Sequence, residues 1–103
     1  MEYVPIEKEL IPYKMEIELG VELFEIEINY NDRFDFFTLD LMKNNELLVM
    51  GAKLVYGVPV FEAFEDNRFP APRLLPIDPA GREKQITWDN FGETVLLQVG
   101  EDD

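Results

Sequence analysis

Residues 15–30 have the sequence MEIELGVELFEIEINY, in which apolar and polar residues alternate on both sides of a single glycine. Such alternation is typical of β-strands that bury one face. The apolar positions are odd before Gly20 and even after it, so antiparallel partners on one face must have numbers that sum to an odd value. A two-residue turn at 20–21 meets this condition and pairs Ile17 with Phe24. The stretch therefore predicts a tight β-hairpin.

The same register places a stripe of carboxylates on the other face of the hairpin, formed by Glu16, Glu18, Glu25 and Glu27. Glu16 lies opposite Glu25, which is unfavourable for like charges, and Lys14 lies opposite Glu27. One interpretation is a general acid/base pair of the kind glycosidases use, which would need one buried carboxylate inside a cleft. The alternation favours a solvated face instead. A third interpretation is a surface that binds Lys or Arg from a neighbouring subunit.

Residues 30–41, YNDRFDFFTLDL, combine a turn with the start of a strand. Asn31 and Asp32 predict the turn, because their side chains bond nearby backbone groups and tolerate unusual φ angles. The apolar phase slips between Phe36 and Phe37, which predicts a β-bulge or a sharp bend. As a calcium loop the segment lacks the required ligand spacing and the bidentate glutamate, so we expect no metal here.

Two further strands are predicted beyond this segment. The residues KNN at 43–45 predict a three-residue hairpin loop that pairs Leu41 with Leu47, with Asn45 in the left-handed region. The following ELLVMGAKLVYG contains good helix formers, but the interruption at Gly51 favours β-structure. The next run, VPVFEAF, predicts an edge strand because its proline cannot donate to a central ladder.

Residues 62–73, EAFEDNRFPAPR, have no periodicity and predict a long loop, which is uncommon in a compact domain and often functional. Aromatic and arginine residues are typical interface anchors, although the rings could instead cover one end of a barrel. Phe61 lies beside the loop and shares both interpretations. The candidate interface residues are Glu16, Glu18, Glu25 and Glu27 on the stripe, and Phe64, Arg68, Phe69 and Arg73 in the loop.

The C-terminal third also predicts short strands joined by turns. DPAG at 78–81 has the preferences of a type I turn, and QITW and ETVLLQV predict two strands around the turn DNFG. Trp88 and Phe91 could form a ligand platform, but a lone Trp beside a turn is more often a core corner. Residues 100–103 predict an acidic tail. The whole indicates a single all-β domain over residues 1–103, a small antiparallel β-barrel or β-sandwich of about seven strands.

Composition limits the chemistry. The chain contains no His, Cys or Ser, which removes the usual general base, the common nucleophiles and ordinary zinc ligands. We therefore predict that the protein is not an enzyme and uses no cofactor. Its net charge of −13 opposes binding to nucleic acid and anionic membranes and suits a basic protein partner, or serves only solubility. The N-terminus is acidic and broken by Pro5, which does not match a signal peptide.

Five motifs follow one another along the chain: VPIEKELIPY, YNDRFDFFTLDL, GAKLVYGVPVF, PIDPAG and TWDNFGETVLLQV. Together they resemble those of the small baseplate plug proteins of contractile-tailed bacteriophages and phage-derived tail particles. The resemblance spans almost the whole chain and implies a β-barrel-like structural protein at the baseplate centre, near hub, spike and tube. It also implies a symmetric assembly formed in the bacterial host cytoplasm, and it carries over no catalytic residue.

Two alternatives remain open from the residues themselves. A small acidic inhibitor that mimics DNA would need two rows of carboxylates at phosphate-like spacing, and glutamates that alternate along strands lie about 6.5–7 Å apart. A carbohydrate-binding or hydrolytic barrel is the other alternative. The first would bind a polymerase or nuclease, and the second a glycan.

Overall fold

The computed structural model describes residues 2–61 and 73–100. The described part contains seven strands and one short 3-10 helix, Lys8–Leu10. This confirms the all-β prediction. The strands, in chain order, are β1 (Glu2–Val4), β2 (Tyr13–Leu19), β3 (Glu22–Asn31), β4 (Phe36–Lys43), β5 (Glu46–Lys53), β6 (Leu74–Ile77) and β7 (Leu96–Val99).

The strands form two antiparallel sheets, one of three strands in the order β1-β7-β6 and one of four strands in the order β2-β3-β4-β5. Residues 54–61 connect the two sheets beyond β5. The Leu54 N–H bonds the carbonyl of Phe37 in the larger sheet at 2.9 Å. The Gly57 N–H then bonds the carbonyl of Pro76 in β6 at 2.8 Å. The connection therefore satisfies backbone groups of both sheets as it crosses.

Both sheets bury one face in a single apolar cluster. Alternate residues are buried over 24–28 in β3 and 37–41 in β4, as the alternation predicts. From the smaller sheet, Leu74 and Leu97 are 1% and 0% exposed, so the two layers share one core. The completely inaccessible side chains of the larger sheet are Ile26, Ile28, Phe37, Leu39 and Leu41.

The first hairpin has the predicted register, with Ile17 opposite Phe24 and Glu16 opposite Glu25. Gly20 has a φ of 69° at the first central position of the turn. This is the conformation that a type II′ hairpin requires and that glycine adopts without steric cost.

Of the two structures predicted for the phase slip between Phe36 and Phe37, the β-bulge is wrong. The two residues pair regularly with Asn31 and Tyr30. The phase slip falls in the turn, where Asp35 has a φ of 54°. The irregular register lies instead between β4 and β5, around Leu41.

The predicted loop at 43–45 is also wrong in length. Lys43 pairs with Glu46, so only Asn44 and Asn45 form the turn, with φ angles of 52° and 65°. Two consecutive positive φ angles define a type I′ turn, which matches the twist of a hairpin and which asparagine tolerates. Leu47 consequently lies opposite Met42 rather than Leu41.

Two predicted strands are absent from the described residues. In 58–61 only Val60 forms an isolated bridge, to Leu74, and residues 62–64 lie outside the described residues. Residues 85–88 form no strand, because the Asn90 side chain takes over the hydrogen bonding. Its Oδ1 accepts the Thr87 N–H at 2.8 Å, and its Nδ2 donates to the Gln85 carbonyl at 2.9 Å. Strand β6 was not predicted; it tolerates Pro76 because it is an edge strand.

Candidate interaction surface

The outer face of the four-stranded sheet brings together all four glutamates of the predicted stripe. Glu16 and Glu18 are exposed on β2, and Glu25 and Glu27 are half-buried on β3. Their positions follow from the pleat, because the residues between them point into the core. Lys14 lies opposite Glu27 and is the cation of this group. The register thus leaves the Glu16 and Glu25 carboxylates directly across from each other with no lysine in their row.

A fifth carboxylate joins this face, and it was missed from the sequence. Asp40 on β4 lies opposite Glu27. Its Oδ1 accepts the Gly51 N–H at 2.7 Å, at the point where the ladder between β4 and β5 is irregular. The even numbering of the polar positions in β4 was the signal that could have placed it. Asp40 therefore adds charge to the face while one of its oxygens satisfies the backbone of β5.

A groove runs along one end of this face. It has a volume of about 310 Å³, and its acidic wall contains Glu16 and Glu25. Its apolar lining includes Leu23, which is 56% exposed, and Met42. The groove also borders Asn44 and Asn45, the two residues of the type I′ turn between β4 and β5. An acidic wall beside an exposed apolar floor suits a side chain that has both an alkyl stem and a positive end.

The groove lining also includes one lysine, Lys43. The Lys43 Nζ contacts the Glu22 carboxylate and lies 5.4 Å from the centre of the Phe24 ring. Lys43 is thus engaged with a carboxylate outside the stripe. The negative charge of Glu16 and Glu25 remains available to a partner.

Of the loop candidates, only Arg73 lies within the described residues, and it is not on this face. Phe64, Arg68 and Phe69 lie outside the described residues, so their predicted interface role stays a prediction. Arg73 is exposed and immediately precedes β6 in the other sheet, where its carbonyl accepts the Gly100 N–H at 2.8 Å. Phe61 is half-buried and packs against the core with a φ of 68°.

Trp88 and Phe91 form a corner of the core. The Phe91 ring is fully buried, and its centre lies 4.6 Å from that of Phe37. The Trp88 ring lies 4.7 Å from Tyr30 and is 36% exposed. This packing favours the core-corner interpretation over a ligand platform.

A single carboxylate organises the polar side of that corner. One oxygen of Asp35, Oδ1, accepts hydrogen bonds from the Tyr30 hydroxyl at 2.7 Å and from the backbone N–H of Trp88 at 2.9 Å. The hydrogen bond to Asp35, followed by desolvation, raises the pKa of Tyr30 to about 12. Tyr30 is therefore held neutral as a hydrogen-bond donor and is not a proton acceptor at ordinary pH.

The turn at 78–81 has a similar internal anchor. The Asp78 carboxylate is buried and accepts the N–H groups of Ala80, Arg82 and Glu83 at 2.8–2.9 Å. These bonds, that from Glu83 first, lower the pKa of Asp78 below its ordinary value. The Gly81 N–H also bonds the Asp78 carbonyl at 2.9 Å, which confirms the predicted turn.

A second depression lies between the turn at 32–35, the end of β5 and residues 84–86. It has a volume of about 270 Å³ and is lined by Phe34, Phe36 and Lys53 among others. Asp35 is the carboxylate among its described lining residues, and it is already bonded to Tyr30 and Trp88. A glycosidase needs two carboxylates on opposite sides of the bond it cleaves, and the depression does not provide that pair.

Within residues 2–61 and 73–100, no group of three or more acidic side chains is placed to hold a metal ion. Among the same residues, no helix has both the length and the apolar character that are needed to cross a membrane.

Comparison with protein families gives a match along the entire described fold. A sequence profile described as the cyanophage baseplate Pam3 plug gp18 matches residues 1–102. The chain belongs to this family of phage baseplate plugs. Comparison with curated proteins and with solved structures gave no match.

Membership of the baseplate plug family agrees with what the motifs do in the structure. Asp78 of PIDPAG and Asn90 of TWDNFG bond backbone groups of their own turns, so these motifs determine structure. The family is a class of structural baseplate proteins and not a class of enzymes. The functional surface of a baseplate plug is accordingly a surface that contacts other baseplate components.

Proposed function

We propose that this chain is a structural plug subunit of a contractile-tail baseplate. It binds the hub, spike or tube proteins through the outer face of the four-stranded sheet, with the 62–73 loop as a second contact. The subunit takes its place in a symmetric assembly around the tail axis, in a virion or in a phage-derived tail particle that assembles in the host cytoplasm. Its work is to bind and not to catalyse.

The observation that carries this proposal is the chemistry of the outer face. Glu16, Glu18, Glu25, Glu27 and Asp40 share it with two lysines, Lys14 and Lys53, and the groove beside them exposes apolar surface. Complementary charge across an interface guides association and selects the partner, while the apolar part supplies the burial that gives affinity. A basic patch with alkyl side chains on another baseplate protein matches both properties.

The proposal is tested by co-expressing the chain with the products of the neighbouring tail genes and measuring which of them co-purify. A variant with E16K and E25K should lose the partner, because two carboxylates of the groove wall become lysines. A matched control with E9K and E93K makes the same change in charge at exposed positions outside the four-stranded sheet and should keep the partner. The proposal is wrong if no neighbouring tail protein binds the wild-type chain, or if both variants bind equally well.

The DNA-mimic alternative finds less support on this face. Leu23 lies opposite Glu18 at the end of the β3 row, and Met42 lies opposite Glu25, so apolar side chains adjoin the carboxylates. A row of phosphates has no such apolar neighbours. Binding of the chain to a host polymerase or nuclease, with release by duplex DNA, is the result that would favour this alternative.

A further inference from the structure

Among the described residues, strand β2 has no strand partner on the side away from β3. In a hairpin closed by a two-residue turn, the closing pair Leu19 and Glu22 exchange hydrogen bonds, and the bonded pairs then alternate along the ladder. The N–H and C=O groups of Lys14, Glu16 and Glu18 therefore point outward. Within the described part of the chain, no backbone bond is made to these groups.

The other sheet edges are short, irregular or covered. Strand β1 has three residues, and β6 receives hydrogen bonds from Gly57 and Val60. Strand β5 is irregular at Gly51, whose φ is 74° and which donates its N–H to the Asp40 carboxylate. Proteins commonly protect sheet edges with such devices to prevent unwanted strand pairing. The seven residues of β2 contain no glycine, proline or irregular pair.

We propose that β2 accepts an added β-strand from a partner protein, in which Lys or Arg alternates with apolar residues. This inference rests on the proposed function and specifies the chemistry of the partner segment. Main-chain hydrogen bonds of such an addition provide affinity, and the alternating side chains provide specificity.

Both faces of β2 define the same alternating partner. On the outer face, basic side chains of the added strand would lie beside Glu16 and Glu18, next to the uncompensated row that Glu16 shares with Glu25. On the inner face, Met15 and Ile17 are only half-buried against the core. Apolar side chains of the added strand would cover them and extend the core past its present edge.

A second copy of this chain is a poor occupant of the same edge. Antiparallel pairing of two β2 strands about Glu16 would bring the Glu16 and Glu25 carboxylates of both copies together in one row. Each copy also carries a net charge of −13, so the approach is opposed over a long range. A partner with basic residues removes both costs.

The first test uses a synthetic peptide of nine residues in which lysine and valine alternate. Amide exchange of the full-length protein, followed residue by residue by NMR, should be fast at Lys14, Glu16 and Glu18 and slow at Met15 and Ile17. Addition of the peptide should slow the three fast amides at least about tenfold. The same peptide with methylated backbone nitrogens keeps its charge but cannot pair as a strand, and it should give no protection.

The second test separates the free N–H from the charge of Glu16. E16P removes the outward N–H, which an edge strand tolerates, and E16T removes the same charge but keeps that N–H in a good strand former. We expect E16P to weaken peptide binding at least about tenfold more than E16T, since a hydrogen bond is lost and the ring faces the partner. Circular dichroism checks that both variants fold; if E16P does not, the exchange measurement decides.

Equal binding of the two folded variants, or peptide binding without protection of the three amides, would overturn the proposed strand addition. So would a dimer of this chain whose β2 amides are protected in the absence of peptide. The proposed function fails separately, when no tail protein co-purifies with the wild-type chain, whatever the peptide does. When a tail protein does bind, unprotected β2 amides in that complex overturn strand addition and leave the proposed function intact.

Discussion

Replacing Glu16 by lysine should stabilise the fold while it removes the proposed binding surface. Glu16 and Glu25 form a pair without mutual backbone hydrogen bonds in the β2–β3 ladder. In such pairs the Cα atoms are about 4.5 Å apart and the side chains lie closest. E16K replaces this repulsion by an attraction to Glu25, and it adds a positive neighbour for Glu27 on the diagonal.

The size of the effect follows from the pair type. An opposite-charge cross-strand pair contributes about 0.2–1 kcal/mol, and a like-charge pair is unfavourable by a similar amount. Exchange of one for the other at this exposed position should therefore raise the free energy of unfolding by about 1 kcal/mol. For a domain of this size, that corresponds to an increase in Tm of about 4–8 °C.

The assay is thermal and urea unfolding of wild type, E16K and E93K at low salt and at 1 M salt. E93K makes the same change in net charge at an exposed position outside the sheets and controls for the overall reduction of repulsion. The difference between E16K and E93K should shrink at 1 M salt, because the screening length falls from about 10 Å at 0.1 M to about 3 Å. If E16K is no more stable than E93K, or if salt does not change the difference, the like-charge pair does not oppose folding and the reasoning is refuted.

Three further results are expected. Because its pKa is lowered in the folded state, the Asp78 carboxylate should stabilise the fold fully above its ordinary pKa of 3.8 and lose that contribution as pH falls through the lower folded-state value. D78N should therefore have a lower urea midpoint than wild type at pH 7. Its stability should also fall less than that of wild type between pH 4 and pH 2. One tyrosine should titrate near pH 12 by ultraviolet absorbance, and D35N should bring its pKa down. N45A should lower the free energy of unfolding by about 1–2 kcal/mol, because alanine is strained at a φ of 65°, whereas N45G should not.

Local alternation in the sequence was enough to predict the first hairpin. One glycine, two runs with opposite parity and the demand for a shared buried face leave one register, and the structure has it. The carboxylate stripe follows from the same parity, which explains why all four glutamates were placed correctly on one face. The sequence did not assign Asp40 to the stripe, because its position beside Glu27 depends on the pairing of β3 with β4, which no tight turn specifies.

Turn geometry was harder to predict wherever polar side chains compete with the ladder. Asn44 and Asn45 both accept positive φ, so a two-residue and a three-residue loop were both compatible with the sequence. At 85–88 the alternation suggested a strand, but Asn90 bonds the backbone of Thr87 and Gln85 and holds the segment out of the sheets. Such bonds depend on where one side chain reaches in space, which periodicity does not encode.

The two outer edges of the four-stranded sheet show where stability and binding diverge. In strand β5, Gly51 adopts a left-handed conformation and donates its N–H to the Asp40 carboxylate, which makes this edge irregular. Strand β2 has no such device, and it places Glu16 against Glu25 at a cost to folding. If the acidic face served solubility alone, the charges could be spread so that no two carboxylates are direct cross-strand neighbours. An unpaired strand edge beside an excess of carboxylates is instead the arrangement that a basic strand from a partner would complete. E16K is expected to raise stability and to weaken binding, and these opposite effects test that connection directly.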